Sequence, residues 1–120
     1  MPKPLTDAEL RVMNAVWDLG QATVAAVHAQ LADEGLAYST VLTTMRILEE
    51  KGWLTHTKEG RAFVYEPVTA RDVAGRNAIR DLLGKFFSNR ADLLVANLLE
   101  DEKLSRKELD RLKKLIAQDN

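Results

Sequence analysis

Only a few side chains in this sequence could support catalysis or hold a metal ion. Cysteine is absent, and the two histidines, His28 and His56, are far apart in the chain. A tetrahedral zinc site built on two histidines would need carboxylates to complete it. The sequence has no glycine-rich phosphate loop, no HExxH pair and no spacing typical of a nucleophile with its base. We therefore predict a protein that is not an enzyme and that holds no metal or cofactor.

A polar helical face between residues 39 and 51 offers a different chemistry, contact with DNA. At about 100° per residue, Val41, Met45 and Leu48 lie on one side of a helix and predict its buried seam. Small polar groups on the other side would let the helix approach a DNA groove, and an arginine there can contact a base edge or a phosphate. An ordinary solvated helix, with Arg46 paired to a glutamate that follows it, would give the same pattern. The polar side consists of Ser39, Thr43, Arg46 and Glu50, flanked by Thr40 and Ile47.

Three predicted helices position this face. Thr6 and Glu9 form a capping-box pattern at the start of the first helix. Thr23 is the predicted cap of the second helix. Ser39 is the predicted cap of the third, which runs to about residue 51 and ends at Gly52.

A β-hairpin is predicted directly after the third helix. Residues 53–58 and 61–67 are rich in β-forming residues that alternate, and Glu59-Gly60 between them is a turn sequence. Lys58 and Arg61 flank that turn, where they would lie either on DNA phosphates or in solvent. Three helices and a hairpin are typical of a winged helix-turn-helix domain, whose third helix enters the major groove. The predicted DNA contacts are Ser39, Thr40, Thr43, Arg46, Ile47, Lys51, Lys58 and Arg61.

Net charge is the main argument against DNA binding. Residues 1–66 contain six Lys and Arg but nine Asp and Glu, a net charge of −3, so bulk attraction does not bring this segment to DNA. DNA binding would need a local basic patch. The charge favours the alternative of a winged-helix adaptor that binds other proteins and no DNA.

The remaining sequence, residues 68–120, predicts three further helices and no strand. A helix that begins near Thr69 carries a strong apolar stripe, and Gly84 is placed to bend or stop it. Ser88 is the predicted cap of the next helix, and Ser105 with Glu108 forms a capping-box pattern before the last. We predict a winged helix-turn-helix domain over 1–67 and a helical tail over 68–120. The fold class is mainly α with a small β-hairpin.

The helical tail predicts a homodimer. Three short amphipathic helices cover one another poorly, and pairing with a second copy would bury their surplus apolar surface. The alternative is that the tail folds back on its own N-terminal domain. The predicted dimer contacts are Phe86, Phe87, Leu94, Leu98 and Leu112.

Several sequence blocks resemble the penicillinase-repressor family, also called the methicillin-resistance regulatory repressor family. The most specific block is Ala37-Tyr38-Ser39-Thr40-Val41-Leu42-Thr43, and Leu5-Thr6-Asp7-Ala8-Glu9-Leu10 matches as well. The resemblance extends over residues 5–116 and is weaker after residue 67. Family members often carry Arg at the position of Ile47 and a polar residue at that of Arg46. The basic group is therefore displaced by one position here, so the operator sequence of the relatives cannot be assigned to this protein.

The resemblance implies a transcriptional repressor that binds a roughly palindromic operator in double-stranded DNA as a homodimer. Relatives often repress antibiotic-resistance genes. In some, a membrane-bound sensor protease triggers a cut in the tail, and the matching bond here is Asn97–Leu98. No apolar run approaches the ~20 residues of a membrane span, and the first residues do not form a signal peptide, so we expect a cytoplasmic protein.

Overall fold

The computed structural model describes residues 2–118 and contains helices and one hairpin. A 3-10 turn, Ala32–Glu34, follows the second helix, and strands β1 (Leu54–Glu59) and β2 (Ala62–Pro67) pair antiparallel. The predicted fold class is confirmed. The helices are α1 (Asp7–Leu19), α2 (Val24–Gln30), α3 (Tyr38–Glu50), α4 (Arg71–Phe86), α5 (Ala91–Glu100) and α6 (Arg106–Gln118).

Local hydrogen bonds explain where three of the helices begin. The Thr6 hydroxyl accepts from the Glu9 backbone N–H at 3.2 Å, and the Glu9 carboxylate accepts from the Thr6 N–H at 2.9 Å. This is the predicted capping box of α1. Thr23 caps α2 as predicted, and Ser105 forms the same reciprocal pair with Glu108 before α6.

Two predicted caps are wrong. The N-cap of α3 is Ala37, whose backbone is already extended, so Ser39 lies inside the first turn. The N-cap of α5 is Arg90. Ser88 cannot take that place because it and Asn89 adopt left-handed backbone angles, with φ of 50° and 60°, in the connection before it.

The core of the N-terminal part lies between α1, α2, α3 and the hairpin. Val41, Met45 and Leu48 of α3 are fully buried, as the predicted seam requires. They belong to one apolar cluster with Met13 and Val16 of α1. Because this cluster fixes the rotation of α3 about its axis, the polar side of the helix faces outward.

A backbone pairing that the sequence analysis did not predict holds the hairpin to the helices. Ala22, between α1 and α2, exchanges two hydrogen bonds with Tyr65 of β2, each 2.8 Å long. The Tyr65 side chain is buried, and this burial raises the pKa of its phenol. The base of the hairpin is therefore fixed to the helical core.

The chain divides into two compact units after residue 75. The predicted boundary after residue 67 marks the end of β2, whereas the first compact unit also includes the start of α4. There the Trp17 indole N–H donates to the Thr69 carbonyl at 2.9 Å, and Arg71 donates to Asp18 at 2.8 Å. The Arg71 guanidinium also lies over the Trp17 ring.

The second unit contains the rest of α4 together with α5 and α6. Gly84 lies inside α4 and does not end it. None of the described residues after 75 is buried, although their helices carry many large apolar side chains. Across residues 2–118, no helix is both long and apolar enough to cross a membrane.

Candidate nucleic-acid interface

The outer face of α3 carries five of the predicted contact residues. Ser39, Thr40, Thr43, Arg46 and Ile47 are all exposed. Within residues 2–118, Arg46 forms no ion pair, so it is free of the intrahelical pairing that the sequence allowed. The face therefore presents small polar groups, one apolar side chain and one uncommitted cation.

The start of α3 is suited to an anion. Ala37 has no polar side chain with which to cap the helix, so the first backbone N–H groups of α3 lack a side-chain acceptor. These groups carry the positive end of the helix dipole, which stabilises phosphate. The hydroxyls of Ser39 and Thr40 lie in the same turn and can donate to the same phosphate.

The wing, which is the hairpin of β1 and β2, presents two further cations at its turn. Glu59 pairs with Ala62 in the strand register, which leaves Gly60 and Arg61 as a two-residue turn. Gly60 has φ of 62°, a left-handed angle that glycine adopts without strain. Lys58 and Arg61 are exposed and, among the residues described, neither forms an ion pair.

A shallow groove lies between the turn of the wing and the start of α3. Its volume is about 190 Å³. Arg61 and Phe63 line it from the wing, Tyr38 and Leu42 line it from α3, and Thr23 lines it from the start of α2. Of the predicted contacts, Arg61 lines this groove, beside Tyr38 in the first turn of α3.

Lys51 differs from the other predicted contacts because its charge is already paired. Its ammonium lies 2.6 Å from a carboxylate oxygen of Glu9 and donates to the Pro4 carbonyl at 3.2 Å. The Lys51 ammonium and the Thr6 N–H hold the pKa of the Glu9 carboxyl below its usual range. Lys51 therefore joins the end of α3 to the start of α1.

A second pair that the sequence analysis missed joins α3 to the wing. His56 of β1 contacts the carboxylate of Glu49, one of the two glutamates that follow Arg46 on α3. No spacing rule signals this pair, because a helix and a strand bring the two side chains together only in the folded domain.

The predicted dimer contacts differ in exposure. Phe86 is 75% exposed, and Leu98 and Leu112 are also exposed, whereas Phe87 and Leu94 are half-buried. Asn97, which precedes the bond that matches the cleavage site of relatives, is exposed on α5. Its side-chain amide donates to the Leu93 carbonyl at 2.9 Å.

The sequence matches the family model described as penicillinase repressor over residues 5–118. The chain belongs to the penicillinase repressor family. This is a family of DNA-binding transcriptional repressors and not of enzymes, which agrees with the predicted function and not with the adaptor alternative.

Individual relatives match along nearly the whole chain. This protein is 30% identical in sequence to the penicillinase repressor of Bacillus licheniformis, and the match covers 95% of this chain and 90% of that protein. It is 31% identical to the transcriptional regulator BlaI of Mycobacterium tuberculosis, and that match covers 95% of this chain and 83% of that protein.

Solved structures of related repressors match more than half of the chain. The DNA-binding domain of the repressor BlaI matches with a TM-score of 0.53 and 35% identity, over 59% of this chain and 90% of that one. Bacillus licheniformis BlaI in complex with the blaP half-operator matches with a TM-score of 0.52 and 33% identity, over 60% and 89%. A mutant of Escherichia coli MarR, at 17% identity and a TM-score of 0.53, shares the fold alone.

Proposed function

We propose that this protein is a homodimeric repressor that binds a roughly palindromic operator through α3 and the wing. The observation that carries the proposal is that Arg46 on α3 and Lys58 and Arg61 on the wing are all exposed and unpaired among the described residues. These cations supply the local basic patch that a segment of net charge −3 needs. The half-operator complex of the Bacillus licheniformis relative supports the same kind of ligand.

The proposed contacts divide by chemistry. On α3, Arg46 contacts a base edge, while Thr40, Thr43 and Ile47 line the groove around it. Ser39 and the first N–H groups of α3 hold one phosphate, and Lys58 and Arg61 hold others. Lys51 stabilises the domain instead of contacting DNA, because Glu9 neutralises it.

The direct test is binding to the DNA upstream of the protein's own gene, measured by fluorescence anisotropy at several salt concentrations. A random duplex of equal length is the control. We expect tighter binding to the upstream duplex and a linear loss of log affinity with log salt on both duplexes. Equal affinity for the two duplexes at every salt concentration would contradict sequence-specific binding.

The proposed dimer forms through the helical tail. Phe86, Leu98 and Leu112 expose apolar surface that a second copy would cover. Two linked DNA-binding domains bind a two-half-site operator more tightly than either does alone, because binding of the first raises the effective concentration of the second.

Release from DNA is proposed to follow cleavage of the Asn97–Leu98 bond in a pathway that begins at a membrane sensor protease. Cleavage there would separate α6 from most of α5 and weaken the dimer. Because the bond lies in a helix, α5 must first open locally. Mass spectrometry of the chain during induction tests this, since derepression without a fragment ending at Asn97 would exclude it.

We propose antibiotic-resistance genes as the regulated genes and the cytoplasm as the location. Relatives named as penicillinase and methicillin-resistance regulators support the first. Transcript sequencing of a deletion strain tests it, and induced resistance transcripts are the expected result.

A further inference from the structure

We infer that Glu49 and His56 form a positioning pair that fixes the wing against α3. The pair would set the distance between the base-contacting side chains of α3 and the phosphate-contacting side chains of the wing. The inference rests on the proposed DNA-binding function and adds two residues that lie outside the predicted contacts.

The contact itself is short and partly shielded. Nδ1 of His56 lies 2.7 and 2.8 Å from the two carboxylate oxygens of Glu49. The side chains are 31% and 33% exposed, so water screens the pair less than it screens a surface ion pair. Among residues 2–118, no other side-chain hydrogen bond or ion pair joins α3 to the hairpin.

The hairpin holds the other side of the imidazole ring. His56 faces Tyr65 across the strands, with ring centroids 5.4 Å apart, and stacks on Phe63 at 4.3 Å with an interplanar angle of 20°. Phe63 is the register partner of Lys58, and residues two apart on a strand share a face. The His56 ring therefore lies on the same face of the hairpin as Phe63 and Lys58.

The position of Glu49 on α3 couples the pair to DNA recognition. Glu49 follows Arg46 by three residues, which is just under one helical turn. A wing attached at Glu49 is therefore held at a defined distance from the proposed base contact. Without the pair, the hydrogen bonds between Ala22 and Tyr65 still hold the base of the hairpin, but the turn of the hairpin can tilt relative to α3.

Simple electrostatics and the positioning pair predict opposite results for one substitution. Removing a carboxylate near DNA reduces repulsion of phosphates and tightens binding. The pair predicts that Glu49→Ala weakens binding to the upstream duplex because the wing loses its position. Glu50→Ala is the matched control, since it removes the same charge from the next, exposed residue of α3 and should not weaken binding.

A double-mutant cycle then measures the coupling. His56→Phe keeps the ring stacked on Phe63 and removes the contact with Glu49. The cycle of Glu49→Ala with His56→Phe should show a coupling of about threefold to tenfold in affinity for the upstream duplex. The cycle of Glu50→Ala with His56→Phe should be additive. His56→Gln, which keeps a hydrogen-bond donor, should restore part of the affinity that His56→Phe loses.

A measurement on the free protein separates this inference from the proposed function. Residual dipolar couplings of the hairpin amides, measured relative to those of α3, should change in Glu49→Ala and remain unchanged in Glu50→Ala. An additive cycle for Glu49 and His56 on a duplex that binds the wild type would overturn the inference. If the wild type binds neither duplex, the proposed function fails. Independently of DNA binding, unchanged dipolar couplings in Glu49→Ala would overturn the positioning pair.

Discussion

At the scale of single residues, Glu9 is the buried charge that ties the N-terminus to the recognition helix. It is 8% exposed, and its carboxylate both contacts Lys51 and completes the capping box with Thr6. Hydrogen bonds from Lys51 and Thr6 lower the pKa of Glu9. Because the pKa is lower in the folded state, the ionised carboxylate stabilises the fold at pH values above its unfolded pKa.

Glu9→Gln should therefore lower the free energy of unfolding by about 1.5–3 kcal/mol at pH 7, the usual range for a hydrogen bond to a charged group. The stabilisation is complete above the pKa of the carboxyl in the unfolded chain and is lost as pH falls through the lower folded pKa. Urea denaturation should show that the free energies of unfolding of Glu9→Gln and the wild type differ less at pH 3 than at pH 7. Glu34→Gln, at an exposed position, should match the wild type at both. An equal difference at the two pH values would contradict the assignment.

At the scale of elements, α3 is expected to determine which DNA sequence is bound. Arg46→Ala should weaken binding to the upstream duplex by about 1–3 kcal/mol, because it removes a base contact. Binding to a random duplex should change much less. Arg11→Ala, which removes an exposed arginine from α1, should leave the difference between the duplexes intact. If Arg46→Ala weakens both equally, Arg46 contacts a phosphate and not a base.

The wing and the end of α3 should respond differently to loss of a cation. Lys58→Ala or Arg61→Ala should weaken binding to every sequence and lower the slope of log affinity against log salt by about one unit each. Lys51→Ala should lower the Tm and leave that slope unchanged, because Lys51 is paired with Glu9. Salt titrations and thermal melts of the three variants check this contrast. A reduced salt slope in Lys51→Ala would show that its charge reaches DNA.

At the scale of the whole molecule, the tail is expected to hold two copies together. A chain truncated after residue 75 should be folded and monomeric and should bind a two-half-site operator much more weakly than the full chain. In the full chain, Phe86→Glu should raise the dimer dissociation constant at least about tenfold, because it places a charge in the proposed interface. Val68→Glu, at an exposed apolar residue outside the tail helices, is the matched control. Sedimentation velocity measures both, and a dimeric truncated chain would overturn the proposal.

The sequence by itself determined the features that depend on near neighbours. The seam of Val41, Met45 and Leu48 follows from helical periodicity, and the cap of α1 follows from a hydrogen bond between residues three apart. Where a local signal was ambiguous, as at Ser39 and Ser88, the prediction was wrong because the neighbouring backbone, and not the side-chain type, decided the cap.

Only the tertiary structure decided which charges remain available. Lys51 and Lys58 look alike in the sequence, yet one is paired with Glu9, 42 positions away, and the other is free of ion pairs within residues 2–118. The contact between Glu49 and His56 likewise forms only when the hairpin packs beside α3. The reason is physical: an ion pair needs two groups within about 4 Å, and for groups far apart in the chain only packing of the core sets that distance.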